Sequence, residues 1–319
     1  MSLPQHLQLS SNEYLLDHII TMRNQEKTSY KVSRDYFHDG VNGRMSSTGF
    51  MVSPSERKTM LSWAYDIVDV CKIERHVAIT AVSYLDRFLA DNVGSCAHAL
   101  SSRRNYQLCF IVCLIIALKN CAGMKVESDF VTNVLCHGLY QEKEILDMEM
   151  IVLQGLGWLV NGPTAIDFVH AFLKLLPNQD DCQLKALVKT AEVQVELAMG
   201  DFSVAIQEPS SIACSSIILA MNSLGGKYYS GVEVNAVDRF VWMHSVAMSA
   251  GIDIERLMMK MAQSRLMDSN SDLVTCSDSS ESSEGSSPRT SVCGVDHFNA
   301  SYSVDGSMTT YTYYSRNTQ

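Results

Sequence analysis

Proline and glycine are scarce in this sequence, with 6 and 17 residues among 319. A fold built from many short strands and tight turns would need more of both, because these residues form turns and end strands. Apolar residues make up 46% of the chain and charged residues 19%, which is enough to form sizeable cores and argues against disorder throughout. The composition therefore predicts an all-α protein.

The sequence also lacks a surplus of basic residues. It has 25 lysines and arginines against 35 acidic residues, a formal net charge of −10. Because a nucleic-acid-binding surface needs a basic face, this balance argues against a nucleic-acid partner. The last segment, 268–319, holds seven acidic and two basic residues. About half of the net charge lies there, and the remainder of the chain is only mildly acidic.

Three further signatures are missing. No apolar run reaches the roughly 18 residues that span a bilayer, and the first residues lack the basic flank and apolar stretch of a secretory signal. The ten cysteines include no CxxC pair. We interpret them as reduced cysteines of an intracellular protein and expect no membrane partner, metal or cofactor.

Hydrophobic periodicity divides the chain into four parts. Segment 1–53 carries one helix at 12–26, and segment 267–319 is a disordered Ser-rich and acidic tail. Between them, 54–160 and 161–266 each read as about five helices, which suggests a duplicated fold. The helices predicted in 54–160 are 55–71, 74–91, 105–120, 126–136 and 141–156, and those in 161–266 lie near 163–176, 183–199, 208–224, 233–248 and 252–266.

The segment YQLCFIVCLIIALK, residues 106–119, is apolar on every side. It is too short to cross a membrane, so we expect a core helix surrounded by the other helices of its unit. The first unit is therefore predicted to be a helical bundle around this segment.

Two charges interrupt the apolar helix AVSYLDRFLA. At about 100° per residue, Asp86 lies at the edge of the apolar arc and Arg87 opposite it, in solvent. In the preceding helix, Arg57 projects from the centre of the apolar arc. A buried guanidinium and a buried carboxylate each need a partner, so we predict a structural Arg57–Asp86 ion pair. The alternative is that Arg57 turns outward at the start of its helix.

A second carboxylate lies on an apolar arc. Glu149 projects among Ile145, Met148 and Val152, where it needs a donor. Lys119, which follows the run LIIAL, is the charge available for it. Periodicity leaves two interpretations open: an internal pair, or two groups at a groove that bond the backbone of another chain.

These charged positions resemble those of the cyclin family. The segments RKTMLSW, SYLDRFL, LIIALK and LDMEMIVLQGLGW are similar, in this order, to the cyclin-box signatures and cover 54–160. Residues 161–266 resemble the second cyclin fold more weakly. The first helix, TSYK, and GPTAIDFVHAFLKLLP resemble the D-type subgroup. The resemblance implies two consecutive five-helix cyclin folds, preceded by an extra helix.

The resemblance also assigns roles to individual residues. Arg57 and Asp86 match the family's internal salt bridge, and Leu108 matches the box leucine. Lys119 and Glu149 match the pair that bonds the backbone around the regulatory helix of the kinase. The resemblance thus favours the groove interpretation for this pair. An aromatic position that packs on the same kinase helix is matched by Trp158.

A substrate-docking patch of the family, which binds Arg-x-Leu segments, is matched only in part. Trp63, Asp66 and Gln107 are retained, whereas Glu56 and Thr59 stand where apolar residues are expected. The resemblance therefore implies kinase substrates or inhibitors as further partners only if these two departures are tolerated.

By this resemblance the chain is not an enzyme and has no catalytic residues. It is a regulatory subunit that forms a heterodimer with a cyclin-dependent Ser/Thr kinase, activates it and controls cell-cycle progression in the nucleus and cytoplasm. The alternatives are a helical scaffold that no longer binds a kinase and a transcription-related cyclin. In the tail, Ser287 precedes Pro288 and is predicted to be phosphorylated.

Overall fold

The computed structural model describes residues 5–33, 35–37, 52–90, 99–100, 102–175, 181–228 and 257–261. All regular secondary structure within these ranges is helical, so the all-α prediction is confirmed. No helix among these residues is long and apolar enough to cross a membrane. The tail and most of the last two predicted helices lie outside the described residues.

The helices follow the predicted order. Four of those predicted in 54–160 begin and end within two residues of their expected positions. The helix predicted at 12–26 begins at Gln5 rather than Asn12. The described helices are α1 (Gln5–Lys27), α2 (Pro54–Val70), α3 (His76–Ala90), α4 (Arg103–Cys121), a π-helix (Phe130–Leu135), α5 (Glu142–Gly155), α6 (Ala165–Lys174), α7 (Asp181–Met199), α8 (Phe202–Ala205) and α9 (Pro209–Tyr228).

Within residues 126–136, predicted as an ordinary helix, Phe130–Leu135 form the π-helix instead. The Cys136 amide bonds the Val131 carbonyl at 2.9 Å, and the Gly138 amide bonds the Thr132 carbonyl at 2.7 Å. Val131, Thr132 and Val134 are β-branched and favour helices poorly, and a wider turn is adopted. Gly138 then leaves the turn with a φ of 70°, which glycine adopts without strain.

The starts of α2 and α6 are fixed by their sequences. Ser53 accepts the amide of Glu56, whose carboxylate in turn accepts the Ser53 amide at 2.9 Å. Thr164 and Asp167 form the same reciprocal pair at α6. Such capping boxes satisfy amides that the helix leaves unpaired, and each cap contributes about 1 kcal/mol.

Helix α4 is the core of the first unit, as predicted. From Leu108 to Leu118 every side chain is at most 4% exposed. Helices α2, α3 and α5 pack around it, while α6, α7 and α9 pack on one another. The chain therefore buries two sets of helices within the described ranges.

A buried ion pair joins these two sets. Arg57 and Asp86 are 0% and 1% exposed, and the guanidinium donates to both carboxylate oxygens, at 2.8 and 2.7 Å. Its remaining arm donates to the Met199 carbonyl at the end of α7, at 2.7 Å. Tyr36 donates its hydroxyl to Asp86 at 2.8 Å. The pair thus links α2, α3, the N-terminal segment and the second set of helices.

Arg57 remains charged in this site. Burial by itself would lower its pKa, but the Asp86 carboxylate raises the pKa above its ordinary value. The ring of Phe202 lies 5.5 Å from the guanidinium carbon. An arginine with all of these partners is satisfied only while each of them stays in place.

Helix α1 is bound to the start of α9. The Glu26 carboxylate accepts the Ser210 amide at 2.9 Å and the Ser210 hydroxyl at 2.6 Å. Arg23 bonds Glu26 at 2.9 Å and Glu208 at 3.0 Å. Glu26 therefore caps a helix that lies far along the chain. Burial is the main cause that raises the pKa of Glu26, against the lowering effect of its hydrogen bonds.

We predict that Asp86→Ala lowers the free energy of unfolding by about 3–5 kcal/mol, because Arg57 would be left buried and unpaired. Urea denaturation followed by circular dichroism measures this. Asp66→Ala, at an exposed position on α2, is the control and should change stability by less than about 0.5 kcal/mol. Equal stabilities for Asp86→Ala and the wild type would contradict the structural role.

We also predict that Glu26→Gln increases the free energy of unfolding, relative to the wild type, by a larger amount as pH rises. A carboxyl with a raised folded pKa contributes its stability below its unfolded value, near 4.5, and loses it as pH rises through the folded value. The neutral amide has no such loss. The unfolding free energy of the variant minus that of the wild type should increase from pH 4.5 to pH 7, and a constant or falling difference would contradict the assignment.

Candidate partner-binding surface on α4 and α5

Lys119 lies in the last turn of α4, one residue beyond its buried run. Leu118 is 1% exposed, whereas the Lys119 side chain is 43% exposed. Leu108, also in the core at 3% exposed, lies in the same helix. The ammonium group of Lys119 is therefore carried to the surface by a helix that cannot shift without disturbing the core.

Glu149 meets Lys119 from α5. The Nζ atom of Lys119 donates to Oε1 of Glu149 at 2.7 Å, and the glutamate side chain is 16% exposed. The two groups pair with each other, and both side chains reach the surface. An ion pair with this exposure contributes roughly 1 kcal/mol or less to stability.

Large apolar side chains are exposed beside this pair. Leu146 and Met150 lie one turn apart on α5 and are 55% and 47% exposed. Trp158 and Leu159, just after the helix, are 59% and 40% exposed. Solvent-exposed apolar groups that follow one another in this way are typical of interaction sites. We call the set Lys119, Leu146, Glu149, Met150 and Trp158 the α4–α5 surface.

Helix α5 ends in a Schellman motif that places Trp158. The Gly157 amide bonds the Gln154 carbonyl at 3.0 Å, and the Trp158 amide bonds the Leu153 carbonyl at 2.9 Å. This motif needs one left-handed residue, which is Gly157 with a φ of 59°. Trp158 follows it with a φ of 60°, which is uncommon for a bulky residue. An exposed tryptophan in a strained conformation points to a role outside the fold.

Three side chains from α3 and α4 hold the segment after Trp158. Arg87 donates to the Leu159 carbonyl at 2.8 Å, and Tyr84 donates its hydroxyl to the Val160 carbonyl. Asn120 also donates to the Val160 carbonyl, at 3.1 Å, and to the Asn161 side chain at 2.7 Å. Sequence periodicity gave no signal for these contacts, because they join residues far apart in the chain.

The prediction that Arg87 lies in solvent is wrong. Arg87 is half-buried, with its guanidinium carbon 4.7 Å from the centre of the Tyr30 ring. Burial lowers its pKa. A helical wheel considers one helix alone, and here the segment after α1 covers the outer face of α3.

The predicted docking residues differ in their exposure to solvent. Trp63 is 5% exposed and packs edge-on against Phe110, with 6.3 Å between ring centres, while its indole N–H has no hydrogen-bond partner. Gln107 is half-buried and Asp66 is exposed. Thr59 is likewise exposed. Glu56 lies 3.0 Å from Arg103, so the accessible part of this patch is polar.

No catalytic or metal-binding constellation forms among the described residues. His170 bonds Glu192 at 2.8 Å, and His76 lies 3.1 Å from Glu74. No group of three or more histidine, cysteine or acidic side chains could hold a metal ion in the ranges given above. Ser287 lies outside them.

The first part of the chain matches a known protein family. Residues 17–161 match the family described as the N-terminal domain of cyclins, a range that contains the whole α4–α5 surface. The chain thus carries the sequence pattern of a cyclin N-terminal domain over these residues, which make up less than half of its length.

Its relatives include both A-type and D-type cyclins. The chain is 29% identical to the G1/S-specific cyclin-D2 of Rattus norvegicus over 189 residues, which cover 58% of this chain and 60% of that protein. It is 28% identical to Cyclin-A1-2 of Oryza sativa subsp. japonica over 183 residues, covering 54% of this chain and 36% of that protein. The matched regions thus span between about a third and three-fifths of these relatives.

A solved structure shares the fold. The X-ray structure of a viral cyclin from herpesvirus saimiri superimposes with a TM-score of 0.50 at 16% identity, and the match covers 67% of this chain and 87% of the viral one. At this identity the likeness establishes the architecture alone.

We predict that Trp158→Gly is more stable than Trp158→Ala by about 1 kcal/mol. Both variants lose the exposed ring, but only alanine keeps a Cβ in a left-handed conformation, which costs roughly 1–2 kcal/mol. Urea denaturation of the two variants measures the difference.

The same pair of substitutions at Leu146, an exposed position within α5, is the control. There glycine should be less stable than alanine by about 1 kcal/mol, because the position is helical. The same order of stabilities at both positions would contradict the strained conformation of Trp158.

Proposed function

We propose that this chain is a regulatory subunit that binds and activates a cyclin-dependent Ser/Thr protein kinase and thereby controls cell-cycle progression. The observation that carries the proposal is the Lys119–Glu149 pair, at 2.7 Å on the surface, with the exposed side chains of Met150 and Trp158 following Glu149 along the chain. The chemistry in this proposal belongs to the kinase, and the chain supplies a rigid binding surface.

The ion pair leaves bonding capacity for a partner. The Lys119 ammonium has three donors and uses one on Oε1 of Glu149. The carboxylate accepts through more than one lone pair, so both groups can bond the carbonyl and amide groups of a partner backbone while they remain paired. Such charge-assisted hydrogen bonds are stronger than neutral ones. The pair would fix the register of the partner on α4 and α5.

Affinity in this proposal comes mainly from apolar burial. Covering a side chain such as Met150 contributes about 1.5–3 kcal/mol, and tryptophan is enriched among the residues that dominate interface energetics. Because α4 is packed on all sides, the surface should change little on binding. A preformed surface loses less conformational entropy than a flexible one.

To activate a kinase, the chain must bind the active conformation of that kinase more tightly than the inactive one. Active kinases need a Lys–Glu ion pair between a strand and the regulatory helix, together with an ordered activation loop. To move a kinase from mostly inactive to mostly active, the partner must bind the active form more tightly by about 5.5 kcal/mol. We propose that contact of Trp158 with the regulatory helix of the kinase provides most of this preference.

Kinase substrates or inhibitors are proposed as further partners through Trp63, Asp66 and Gln107, and the nucleus and cytoplasm as the sites of action. The second candidate function is a cyclin-fold scaffold or transcription-related cyclin that does not drive the cell cycle. The polar character of Glu56 and Thr59 favours this alternative, because substrate docking of the usual kind needs apolar residues there.

The test compares two ion pairs that join the same two helices. Lys119→Ala/Glu149→Ala should reduce binding and activation of purified cyclin-dependent kinases, tested one at a time, by at least about tenfold, with an unchanged melting temperature. Kinase activity on a Ser-Pro peptide and the dissociation constant are measured.

The control is Arg104→Ala/Glu144→Ala, which removes an α4–α5 ion pair of the same length, 2.7 Å. At 1.5 Å per residue, Arg104 lies about 22 Å from Lys119 along α4 and Glu144 about 7.5 Å from Glu149 along α5, and the control should leave activation intact. Equal effects of the two double variants would contradict the proposed surface. A well-folded wild type that neither binds nor activates any of these kinases would favour the scaffold.

A further inference from the structure

We infer that Arg87, Tyr84 and Asn120 are positioning residues that hold Trp158 ready for the partner, and that Tyr30 of the N-terminal segment holds Arg87 in place. This inference rests on the proposed function. It assigns a partner-binding role to four residues that the family signatures quoted above do not give one.

The two residues after Trp158 accept several side-chain hydrogen bonds. The carbonyls of Leu159 and Val160, which follow Trp158 directly, are occupied by Arg87 at 2.8 Å and by Tyr84 and Asn120, the last at 3.1 Å. These donors come from two different helices. The path of the chain after Trp158 is therefore set by side chains of α3 and α4.

Arg87 is itself in contact with the ring of Tyr30. Its guanidinium carbon lies 4.7 Å from the centre of the Tyr30 ring. That ring also lies against Gly162, where an added Cβ would clash with Cδ1 of Tyr30. Only glycine allows this approach. Tyr30 thus contacts both Arg87 and the end of the segment that Arg87 holds.

The end of α4 holds both the partner of the ion pair and the segment after Trp158. Lys119 and Asn120 are consecutive residues in the last turn of α4. Lys119 holds Glu149 at 2.7 Å, and Asn120 holds Val160 and Asn161. One helix end therefore sets the distance between the ion pair and Trp158, and a partner that contacts both meets them in a fixed arrangement.

A cavity lies beside the end of this segment. A cavity of about 370 Å³ is lined by Tyr30, Arg87 and Gly162, together with Ile79 and Ile212. Gly162, at the end of the segment, therefore borders open space. Trp158 is itself 59% exposed and its neighbour Val160 packs against the core, so the position of Trp158 depends largely on the hydrogen bonds to the Leu159 and Val160 carbonyls. Their loss should loosen this segment more than it destabilises the fold.

The first measurement is amide hydrogen exchange in the isolated, full-length chain. Tyr84→Phe removes one hydroxyl and Arg87→Met keeps the length of the side chain without its donors. Both should speed exchange of the Trp158, Leu159 and Val160 amides at least fivefold and leave the amides of α4 unchanged. Tyr30→Leu should act like Arg87→Met. Unchanged exchange in all three variants would overturn the inference.

A matched control is present in the same chain. Arg104 donates to the Leu139 carbonyl at 2.9 Å and lies 4.5 Å from the centre of the Tyr140 ring, which reproduces the contacts of Arg87 away from Trp158. Arg104→Met should leave exchange at 158–160 as in the wild type. Arg87→Lys, which keeps the charge and one donor, should restore part of the protection that Arg87→Met loses.

The second measurement is the dissociation constant for a purified cyclin-dependent kinase that the wild type activates. Arg87→Met and Asn120→Ala should weaken binding five- to tenfold, mainly through faster dissociation, whereas Arg104→Met should not. Faster exchange without a change in affinity would overturn the positioning role. If the wild type activates no kinase, the proposed function fails and this inference fails with it, whereas the exchange data still report whether the contacts hold the segment.

Discussion

A charged arginine without access to water is the constraint on which the rest of the structure depends. Arg57 is 0% exposed and remains charged beside Asp86, so each nitrogen of its guanidinium group needs an acceptor. Two acceptors come from α3 and a third is the Met199 carbonyl at the end of α7. Satisfying one side chain therefore fixes how α2, α3 and the second set of helices meet. Because α4 packs against α2 and α3, the position of Lys119 depends indirectly on the same site.

Much of this arrangement could be predicted from local sequence. The uninterrupted apolar run of α4 has one physical solution in a chain of this composition, a helix covered on all sides. Arg57 and Asp86 were paired because each lies on or beside an apolar arc, where an unpaired charge is too costly. The same argument brought Lys119 and Glu149 together. Both inferences need only the helical period and the free energy of burying a charge, and the structure pairs the same residues.

The remaining features depend on tertiary structure. Arg87 lies on the polar side of its own helix and is half-buried only because Tyr30 returns to cover it. The left-handed conformation of Trp158 and the contacts on Leu159 and Val160 involve residues separated by tens of positions in the chain. The π-helix depends on hydrogen bonds that shift by one residue. The apolar period of a single helix carries no information on any of these.

The capping of α9 by Glu26 also imposes an order in time. The carboxylate and the Ser210 amide that it caps are 184 residues apart, so on a ribosome that adds 5–20 residues per second α1 emerges roughly 10–40 s before its binding site exists. Helices α2 to α5 are synthesised within that interval and can pack around α4 first. Attachment of α1 is then a closing step of folding, which joins the beginning of the chain to its second set of helices.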